Sequence, residues 1–382
     1  MRIALVHSFH REDVPSGENV VVRLQAEALR EAGHEVTVVA RSNDERRHRP
    51  GYRVESAAVV ASGLGPDPLD ELRAFRPDVV HVHNLFPNFG TRWVHRWDGP
   101  LVATVHNYRA MCAAGTLLRD GQRCTDCRTD PWAGVRHRCF QGSRVATLPL
   151  ALAGRGGAAA SPPLARADRV VAISQRAVDE YAAAGVDPAR FTVVPNAVAD
   201  VPTAGVPGSR WLFLGRLSAE KGLGELLAAW PEDEALDVVG DGELAGELRA
   251  LPVPAGVRFL GGLDNAEVRA RLGGYAGLVV PSLWPEAGPP LTYVEALAAG
   301  VPAVAVAGNG AADDIDVHGT GVVVSRSPET AELAVALKEV HRDRTRLGAR
   351  CRAAYEARFS TTAWVQALLD VYDDARRSRR GT

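Results

Sequence analysis

The sequence contains almost no lysine. Of its 44 basic residues only Lys221 and Lys338 are lysines, and all the others are arginines. Such usage reflects a coding bias toward arginine and indicates a bacterial source with a GC-rich genome. A lysine that survives this bias indicates a position where a compact ammonium group serves better than a planar guanidinium. Lys221 lies inside a glycine-flanked motif, whereas Lys338 does not.

The sequence also lacks an excess of either charge, and it lacks long apolar runs. A formal net charge of −2 with 24% charged residues creates no field that would attract nucleic acid. No stretch approaches the roughly 20 apolar residues of a membrane span, and the apolar run after Met1 is too short for a signal peptide. We therefore expect a cytoplasmic protein without a transmembrane segment. Two interpretations of the Ala-rich run 145–154 are open: peripheral contact with a membrane, and a buried helix at the edge of the N-terminal domain. The buried helix is favoured.

The length of 382 residues predicts two domains. Short apolar runs alternate with amphipathic stretches in both halves, which is the pattern of α/β proteins with open parallel sheets. We predict two Rossmann-like, doubly wound lobes, at 1–196 and 197–360, that face a ligand-binding cleft. The stretch 197–210 is rich in Pro, Gly, Val and Ala and is predicted to be a linker. The last segment, 361–382, is predicted to be a helix.

The segment 281–295 places two glutamates, Glu286 and Glu295, on either side of a turn that opens a helix. The start of a helix presents unpaired N–H groups and a partial charge of roughly +0.5, which suit a phosphate. Ionised carboxylates accept hydrogen bonds from sugar hydroxyls. The pattern therefore predicts a site for a sugar and its nucleotide. Its donor-binding residues would include Gly288, Pro289, Pro290, Leu291 and Thr292.

A second motif, 215–222, follows the first predicted strand of the second lobe. Gly215 precedes Arg216, and Lys221 lies five positions further on, so two cations flank one loop. A cationic pair stabilises a leaving diphosphate more strongly as charge develops on it. The alternative is an ordinary solvated helix start.

Together these motifs resemble the donor site of family 4 of the retaining, nucleotide-sugar-dependent glycosyltransferases, which have the two-lobed GT-B fold. The resemblance implies that Arg216 and Lys221 bind the diphosphate and that Glu286 and Glu295 contact the donor sugar and the ribose. The family has seven residues between its two glutamates, whereas eight lie between them here. Either the turn carries a one-residue bulge, or Glu286 is displaced from the family's position.

The resemblance extends to the first lobe. Gly17 matches the family's glycine loop near the phosphate, and His106 matches a histidine that contacts the transferred sugar. His83 and Asn84, at the end of the preceding strand, would line the acceptor side. The same resemblance implies that the C-terminal helix crosses back to the first lobe. Taken alone, Gly17 is also compatible with an ordinary turn, and His106 with a satisfied structural histidine.

Four cysteines lie in the loop 107–142 of the first lobe. Eleven residues stand on each side of a central Cys-x-x-Cys, which gives the set Cys112, Cys124, Cys127 and Cys139. Because a cytoplasmic compartment disfavours disulfides, a structural zinc ion with four thiolate ligands is the leading prediction, with free thiols next. Such a zinc ion would brace the loop and take no part in catalysis.

Two other patterns match known sites only in part. Gly240 and Gly242 fit the dinucleotide-binding fingerprint, but no acidic residue follows at a convincing strand end. Asp314 and Asp316 form an Asp-x-Asp pair like the metal site of single-lobed glycosyltransferases, yet Arg216 and Lys221 make a metal at the diphosphate redundant. We interpret 313–316 as a helix start.

The predicted function is transfer of a glycosyl group from a nucleoside diphosphate sugar to a hydroxyl acceptor, with retention of configuration and without a catalytic cofactor. The acceptor could be a small molecule, a lipid-linked compound or a glycan. One alternative is a nucleotide-sugar epimerase or a phosphorylase of related fold. Another is a non-catalytic subunit that binds a sugar nucleotide.

Overall fold

The structure is a computed structural model that describes residues 1–10, 16–201 and 208–380. It divides into two compact units. The first contains Met1–Arg119, Cys124–Pro195 and the C-terminal segment from Trp364, and the second contains Asp120–Arg123 and Asn196–Ala363. Residues 202–207 of the predicted linker and 381–382 of the predicted C-terminal helix lie outside the described residues.

A parallel sheet forms the centre of the first unit. The strands up to residue 195 are β1 (Arg2–Phe9), β2 (Glu35–Ser42), β3 (Val79–Val82), β4 (Leu101–Val105), β5 (Leu118–Arg119), β6 (Gln122–Arg123), β7 (Arg169–Ala172) and β8 (Phe191–Val193). The sheet has the order β2-β1-β3-β4-β7-β8, and its neighbouring strands are parallel. β3 and β4 are buried along their whole length, as expected for strands covered on both faces. The chain turns from one side of β1 to the other between β2 and β3, so the carboxyl ends of β1 and β3 form the switch point where such sheets bind ligands.

Helices connect these strands. They are α1 (Gly17–Glu31), α2 (Asn43–Arg46), α3 (Tyr52–Ser62), α4 (Leu69–Phe75), α5 (Ala133–Arg136), α6 (Arg144–Gly154), α7 (Pro162–Arg166) and α8 (Gln175–Ala182). The side chain of Ser16 caps α1 by accepting a hydrogen bond from the backbone N–H of Asn19. This cap fixes the first turn of α1 at the switch point.

The second unit repeats the architecture with a different strand order. Its strands are β9 (Trp211–Leu214), β10 (Leu236–Val239), β11 (Val257–Gly261), β12 (Gly277–Val280), β13 (Ala303–Val306) and β14 (Gly321–Val324). They lie parallel in the order β11-β10-β9-β12-β13-β14. This is the dinucleotide-binding order, whose switch point lies between β9 and β12. One buried hydrophobic cluster covers each face of the sheet.

The connections of the second unit are α9 (Leu223–Ala228), α10 (Ala245–Arg249), α11 (Asn265–Leu272), α12 (Leu291–Ala298), α13 (Gly310–His318), α14 (Thr330–Arg342) and α15 (Arg344–Ala354). A final helix, α16 (Thr361–Arg380), leaves this unit and joins the first one from Trp364 onward. There the hydroxyl of Tyr372 lies 2.8 Å from both Gln25 Nε2 and His81 Nδ1. The prediction that the C-terminal helix crosses back to the first lobe is confirmed.

The structure corrects two predictions about connecting segments. Residues 197–201 of the predicted linker are not an exposed connection, since Val198 and Val201 are buried in the core of the second unit. The run 145–154 does form a helix, but only one face of the helix is buried: Thr147, Leu150 and Ala151 are buried, whereas Val145 is 81% exposed and Leu148 is 41% exposed. None of the helices in the described ranges is long and apolar enough to cross a membrane.

Candidate active site

The loop after β9 is shaped by close backbone contacts. Gly215 donates its N–H to the carbonyl of Val239 at 3.1 Å. A Cβ at Gly240 would lie 1.8 Å from the carbonyl oxygen of Gly215, and one at Gly242 would lie 2.4 Å from that of Leu217. The Gly-x-Gly pattern therefore serves to pack the 240–242 turn against this loop, which accounts for it without a bound dinucleotide.

Gly222 brings the loop after β9 against the loop after β12. Its φ is +67°, and a Cβ there would stand 2.2 Å from the carbonyl oxygen of Pro281. Only glycine tolerates both this left-handed conformation and this approach. The N–H of Leu283 also donates to the carbonyl of Glu220 at 2.9 Å. The two predicted motifs are thus adjacent at the switch point of the second sheet.

An ion pair joins the two motifs. The ammonium of Lys221 lies 2.6 Å from Glu286 Oε1, and the hydroxyl of Ser282 donates to the same oxygen at 3.2 Å. Glu286 is only 5% exposed, and the Lys221 ammonium also lies 5.5 Å from the centre of the Trp284 ring. The structure therefore brings Lys221 and Glu286 together, which sequence reasoning had placed separately.

Arg216, the other predicted cation, is placed differently. Its side chain is 51% exposed, and its guanidinium lies 3.6 Å from the carboxylate of Glu220. An exposed guanidinium at a loop tip can reorient toward an anion at little cost, because it is not fixed by burial. Lys221 is the preorganised cation of the site and Arg216 the exposed one.

The turn before α12 leaves the start of that helix open. Pro290 occupies the N-cap position and provides no side-chain cap, so the first N–H groups of the helix, at Leu291 and Thr292, are left without one. Gly288 and Pro289 precede this position. Gly310 fits against them, since a Cβ there would lie 2.3 Å from the Gly288 carbonyl oxygen.

Asn309 holds this turn in place, and sequence reasoning missed it. Its side-chain N–H group donates to the carbonyls of Val280 and Ser282, each at 3.1 Å. Its side-chain oxygen accepts from the backbone at the start of α13. Its position immediately before a helical pattern was the available signal.

Glu295 lies on α12 in surroundings different from those of Glu286. It is 8% exposed, and burial raises its pKa, while Arg269 and a hydrogen bond from Asn265 counteract that rise. The two glutamates therefore have separate partners, and only Glu286 contacts Lys221.

Asp314 belongs to the interior of α13. Its carboxylate accepts hydrogen bonds from Tyr293 Oη at 3.0 Å and from Arg358 Nη1 at 2.6 Å. These partners give Asp314 a structural role that needs no metal. The helix begins at Gly310, three residues before the predicted start at Asp313.

In the first unit, the candidate residues lie at the carboxyl ends of β3 and β4. The Nδ1 atom of His83 lies 2.9 Å from Nε2 of His106, and the two rings stack with centres 5.2 Å apart. His81 stacks on the other side of His83 at 4.2 Å. Within the described part of the chain, neither Nε2 of His83 nor Nδ1 of His106 has a hydrogen-bond partner. Three histidine rings thus stack in a row in the order His81, His83 and His106.

Glu18, which sequence reasoning missed, connects these residues to Gly17. Gly17 begins α1, and Glu18 follows it in the first turn. The Glu18 carboxylate accepts hydrogen bonds from Asn107 Nδ2 at 2.6 Å and from Asn84 Nδ2 at 3.1 Å. Although burial alone would raise its pKa, the hydrogen bond with His10 and the nearby His106 help to lower the pKa of Glu18 to about 2. The carboxylate is therefore ionised at neutral pH.

The histidines around this carboxylate are neutral. Burial lowers the pKa of His7 to about 4 and, with His106 nearby, lowers the pKa of His81 to about 3. Burial and the neighbouring His81 hold the pKa of His83 well below its usual range, and burial also lowers the pKa of His106.

These shifts predict a loss of stability in mild acid. Because the folded pKa values lie below the unfolded value of 6.5, the unfolded chain binds more protons at lower pH. Stability is fully present above about pH 6.5 and falls toward pH 4, by up to about 1.4 kcal/mol per pH unit for each histidine. Glu18 adds a loss only below its unfolded value of 4.5.

Urea unfolding at pH 7 and pH 5 measures this effect. We expect a smaller free energy of unfolding at pH 5, with a reduced pH dependence in His81→Gln. The exposed His48→Gln serves as the control and should behave as the parent does. Equal stability at the two pH values would show that these histidines are not held neutral by burial.

The four cysteines before residue 142 are free thiols in the structure. Burial raises the pKa of Cys139 to about 11, and Cys127, Cys112 and Cys124 each raise that pKa further because they are close. Nevertheless, no group of three or more His, Cys, Asp or Glu side chains within 1–10, 16–201 and 208–380 is arranged to hold a metal ion. Thiolates are ligands that zinc prefers, but a tetrahedral site would require the four sulfur atoms to move closer together, so zinc stays a prediction.

Elemental analysis of the purified chain tests zinc. We expect about one zinc per chain, lost in Cys127→Ser because a tetrahedral site needs four ligands. Cys351→Ala is the matched control, since Cys351 is buried in the second unit and should not affect zinc content. A zinc-free chain whose melting temperature is insensitive to chelator would contradict the prediction.

Comparison with known proteins identifies the family. Residues 15–200 match the model described as Glycosyltransferase Family 4, and residues 208–343 match Glycosyl transferases group 1. The glycogen synthase of Mycobacterium tuberculosis is 26% identical over 440 residues, which cover 100% of this chain and 96% of that protein. The phosphatidyl-myo-inositol mannosyltransferase of Mycolicibacterium smegmatis is 30% identical over 333 residues, or 80% of this chain and 76% of that protein.

A solved structure, Anabaena Alr3699/HepE in complex with UDP, matches with a TM-score of 0.62 at 17% identity and covers 98% of this chain and 100% of that one. At this identity the match concerns the fold, and it confirms the predicted two-lobed, Rossmann-like architecture. The family models and the curated relatives supply the activity. The chain therefore belongs to the family 4 glycosyltransferases and is a glycosyltransferase with the GT-B fold.

Proposed function

We propose that this glycosyltransferase moves a sugar from a nucleoside diphosphate sugar to a hydroxyl acceptor with retention of anomeric configuration. The observation that carries the proposal is the ammonium of Lys221, held 2.6 Å from the buried Glu286 at the switch point of the second sheet. The open start of α12 follows Glu286 in the same loop. Ligands of doubly wound sheets bind at this place.

Three groups with full or partial positive charge would bind the diphosphate. Lys221 provides a fixed ammonium, Arg216 provides an exposed guanidinium, and α12 provides N–H groups at Leu291 and Thr292. The interaction of each of these groups with the diphosphate becomes stronger as the bond to the sugar breaks and charge develops on the leaving oxygen. These groups supply the charge that a divalent ion supplies in other enzymes, so we propose transfer that does not depend on a metal.

The glutamates and glycines would position the rest of the donor. Glu286 fixes Lys221 and, as the resemblance to the family implies, contacts the donor sugar. Glu295, one turn into α12, would hold the ribose. The backbones at Gly215 and Gly288 are packed against Gly240 and Gly310, where a Cβ would lie 1.8 and 2.3 Å from their carbonyl oxygens, and as the resemblance implies they would lie beside the donor.

The reaction would proceed without a dedicated protein base. The acceptor hydroxyl attacks the anomeric carbon from the face that the leaving group vacates, and the diphosphate oxygen takes the hydroxyl proton. The C–O bond to the diphosphate breaks as the new glycosidic bond forms, so charge and protons balance. His106 would contact the transferred sugar, and the Gly17 backbone would approach a phosphate closely, as the resemblance implies.

Uridine and guanosine diphosphates are the first donors to test. The family resemblance favours these two bases, and the Anabaena relative was solved with UDP. A cytoplasmic location remains part of this proposal, and mycobacterial relatives support a bacterial source.

Removal of the Lys221 ammonium should weaken binding of UDP or GDP. Loss of one charge-assisted hydrogen bond, about 1.5 to 3 kcal/mol, corresponds to a tenfold to hundredfold weaker affinity. We expect this loss for Lys221→Ala by isothermal titration calorimetry, and a fall in turnover of about two decades or more once a donor and acceptor are found.

The controls separate charge from folding. Lys338→Ala removes the other lysine, which is exposed on α14, and should bind as the parent does. The double variant with Lys221→Ala and Glu286→Gln avoids a buried unpaired carboxylate. Its free energy of unfolding should therefore exceed that of Lys221→Ala alone. Unchanged diphosphate affinity in a folded Lys221→Ala chain would place the diphosphate elsewhere.

The stereochemistry of the product tests the mechanism. Proton NMR of the new linkage should show the same anomeric configuration as the donor, because attack and departure occur on one face. An inverted product would require a base opposite the leaving group and would overturn this mechanism.

A further inference from the structure

A buried cluster of four polar side chains joins α16 to the sheet of the first unit. Tyr372 belongs to α16, Gln25 to α1, His81 to β3 and Thr104 to β4. None of the four is more than 7% exposed, and His81 and Tyr372 are fully buried. Buried polar groups are stable only when they are hydrogen-bonded, so the protons of this cluster must be shared in one consistent arrangement.

The hydrogen bonds of the cluster determine which ring nitrogen of His81 carries the proton. The amide nitrogen of Gln25 donates to the hydroxyl oxygen of Tyr372 at 2.8 Å, which leaves the hydroxyl proton for Nδ1 of His81, also 2.8 Å away. Because burial lowers the pKa of His81 to about 3, its ring is neutral and has a single N–H group. Nδ1 accepts, so Nε2 carries the proton and donates to Thr104 Oγ1 at 2.6 Å.

The Gln25 amide supports this assignment a second time. Its Nε2 atom also lies 3.0 Å from Nδ1 of His81. An amide nitrogen only donates, so it would oppose a proton on Nδ1. A proton there would also make the Tyr372 oxygen an acceptor on both sides and leave its own proton without a partner among the described residues.

The cluster lies directly beside the histidine pair of the candidate site. His81 and Thr104 form a hydrogen-bonded pair across β3 and β4. Two residues further along each strand direction, His83 and His106 form the next pair, with Nδ1 and Nε2 2.9 Å apart. Residues two apart on an extended chain point to the same face, so the two pairs are neighbours on one face of the sheet. The rings of His81 and His83 stack 4.2 Å apart with an angle of 28° between their planes.

Packing alone does not account for the hydroxyl of Tyr372. Its ring meets that of His81 edge-on, with centres 5.5 Å apart. A phenylalanine would make the same contact without burying a hydroxyl, and a buried hydroxyl is costly unless it is hydrogen-bonded. The hydroxyl is therefore explained by its bond to His81, and a rotated His81 ring would disturb the His83 ring that stacks on it.

We propose that Tyr372 is a positioning residue for the candidate site of the first unit. Its hydroxyl fixes His81 with the proton on Nε2, and the fixed ring holds His83 in the orientation that hydrogen-bonds to His106. The C-terminal helix thereby acts on the residue that would contact the transferred sugar. The role of His106 rests on the proposed function, whereas the arrangement of the rings does not.

NMR of the full chain with nitrogen-15-labelled histidines tests the proton assignment without any substrate. The signals of His81 are identified by their loss in His81→Gln. At pH 7 we expect a neutral His81 ring with a proton on Nε2 and a lone pair on Nδ1. A proton on Nδ1 would overturn the inference, because Tyr372 would then accept from the ring and could not fix it in this way.

Tyr372→Phe separates the hydroxyl from the packing of the ring. We expect the Nδ1 signal of His81 to move toward that of an unbonded nitrogen, and the signals of His83 and His106 to shift with it. Val371→Ala removes buried packing from the same helix but no hydrogen bond, so as the matched control it should leave these signals in place. Unchanged His83 and His106 signals in Tyr372→Phe, or equal shifts in both variants, would contradict the inference.

Gln25→Leu tests the same hydrogen bonds from their other end and serves if Tyr372→Phe does not fold. Both amide contacts are then lost, and the Nδ1 signal of His81 should again move toward that of an unbonded nitrogen. A folded Gln25→Leu chain with an unchanged His81 signal would refute the assignment.

Binding of UDP and GDP separates this inference from the proposed function. The candidate donor site lies in the second unit, so Tyr372→Phe should bind these diphosphates as the parent does. Turnover, once a donor and acceptor are found, should fall about tenfold, because a catalytic arrangement tolerates little misplacement. Unchanged turnover in Tyr372→Phe would refute the positioning role. Failure of both diphosphates to bind the parent chain would refute the proposed function instead and would leave the NMR result standing.

Discussion

The contact between the loops after β9 and β12 is the constraint on which the candidate donor site depends. Gly222 allows the backbones to meet, because a Cβ would stand 2.2 Å from the Pro281 carbonyl oxygen. That approach sets Lys221 beside Glu286, which is buried and paired. A buried carboxylate without its partner would cost several kcal/mol, so the pair is stable only as long as the loops remain together.

This ion pair fixes the ammonium of Lys221 before any ligand binds. Fixed charges stabilise a developing oxyanion without reorganisation. Arginine would not replace Lys221 here. Its guanidinium is larger and planar and binds best to two acceptor atoms side by side, whereas Lys221 contacts one carboxylate oxygen and the face of a ring.

The two units use the same topological position for opposite chemistry. Both sheets place polar loops at the point where the strand order reverses, β9 and β12 in the second unit and β1 and β3 in the first. In the second unit this position holds a cation and an open helix start. In the first it holds the ionised Glu18 among neutral histidines. Topology therefore fixes where a ligand binds, and the loop residues fix its charge. The charges of the second unit suit an anion.

The strands were readable from the sequence because buried parallel strands are short runs of Val, Leu, Ile and Ala. β4 and β13 consist almost entirely of these residues, whereas Phe191–Val193 is a half-exposed edge strand of only three residues and has no such run. The linker prediction was wrong for residues 197–201 because weak periodicity does not distinguish an exposed segment from one that packs irregularly into a core. Glu18 was missed for a different reason. Its partners Asn84 and Asn107 are 66 and 89 residues away in the sequence, so its role exists only after folding. Lys221 and Glu286, 65 residues apart, were each found through a local motif, but their contact was not.

The row of histidines in the first unit bears on where the acceptor's proton goes. His81 and His83 stack 4.2 Å apart, and His83 and His106 stack 5.2 Å apart, so a charge on one ring would raise the energy of a charge on the next. Burial lowers the pKa of each of these rings, and a base with a lowered pKa is a weak proton acceptor. The row can orient a hydroxyl through neutral hydrogen bonds, but it is poorly suited to removing its proton. Glu18, with a pKa of about 2, is weaker still as a base. Because the described residues of this cluster include no strong base, the proposed mechanism assigns that proton to a leaving diphosphate oxygen, which would require attack from the side of the leaving group.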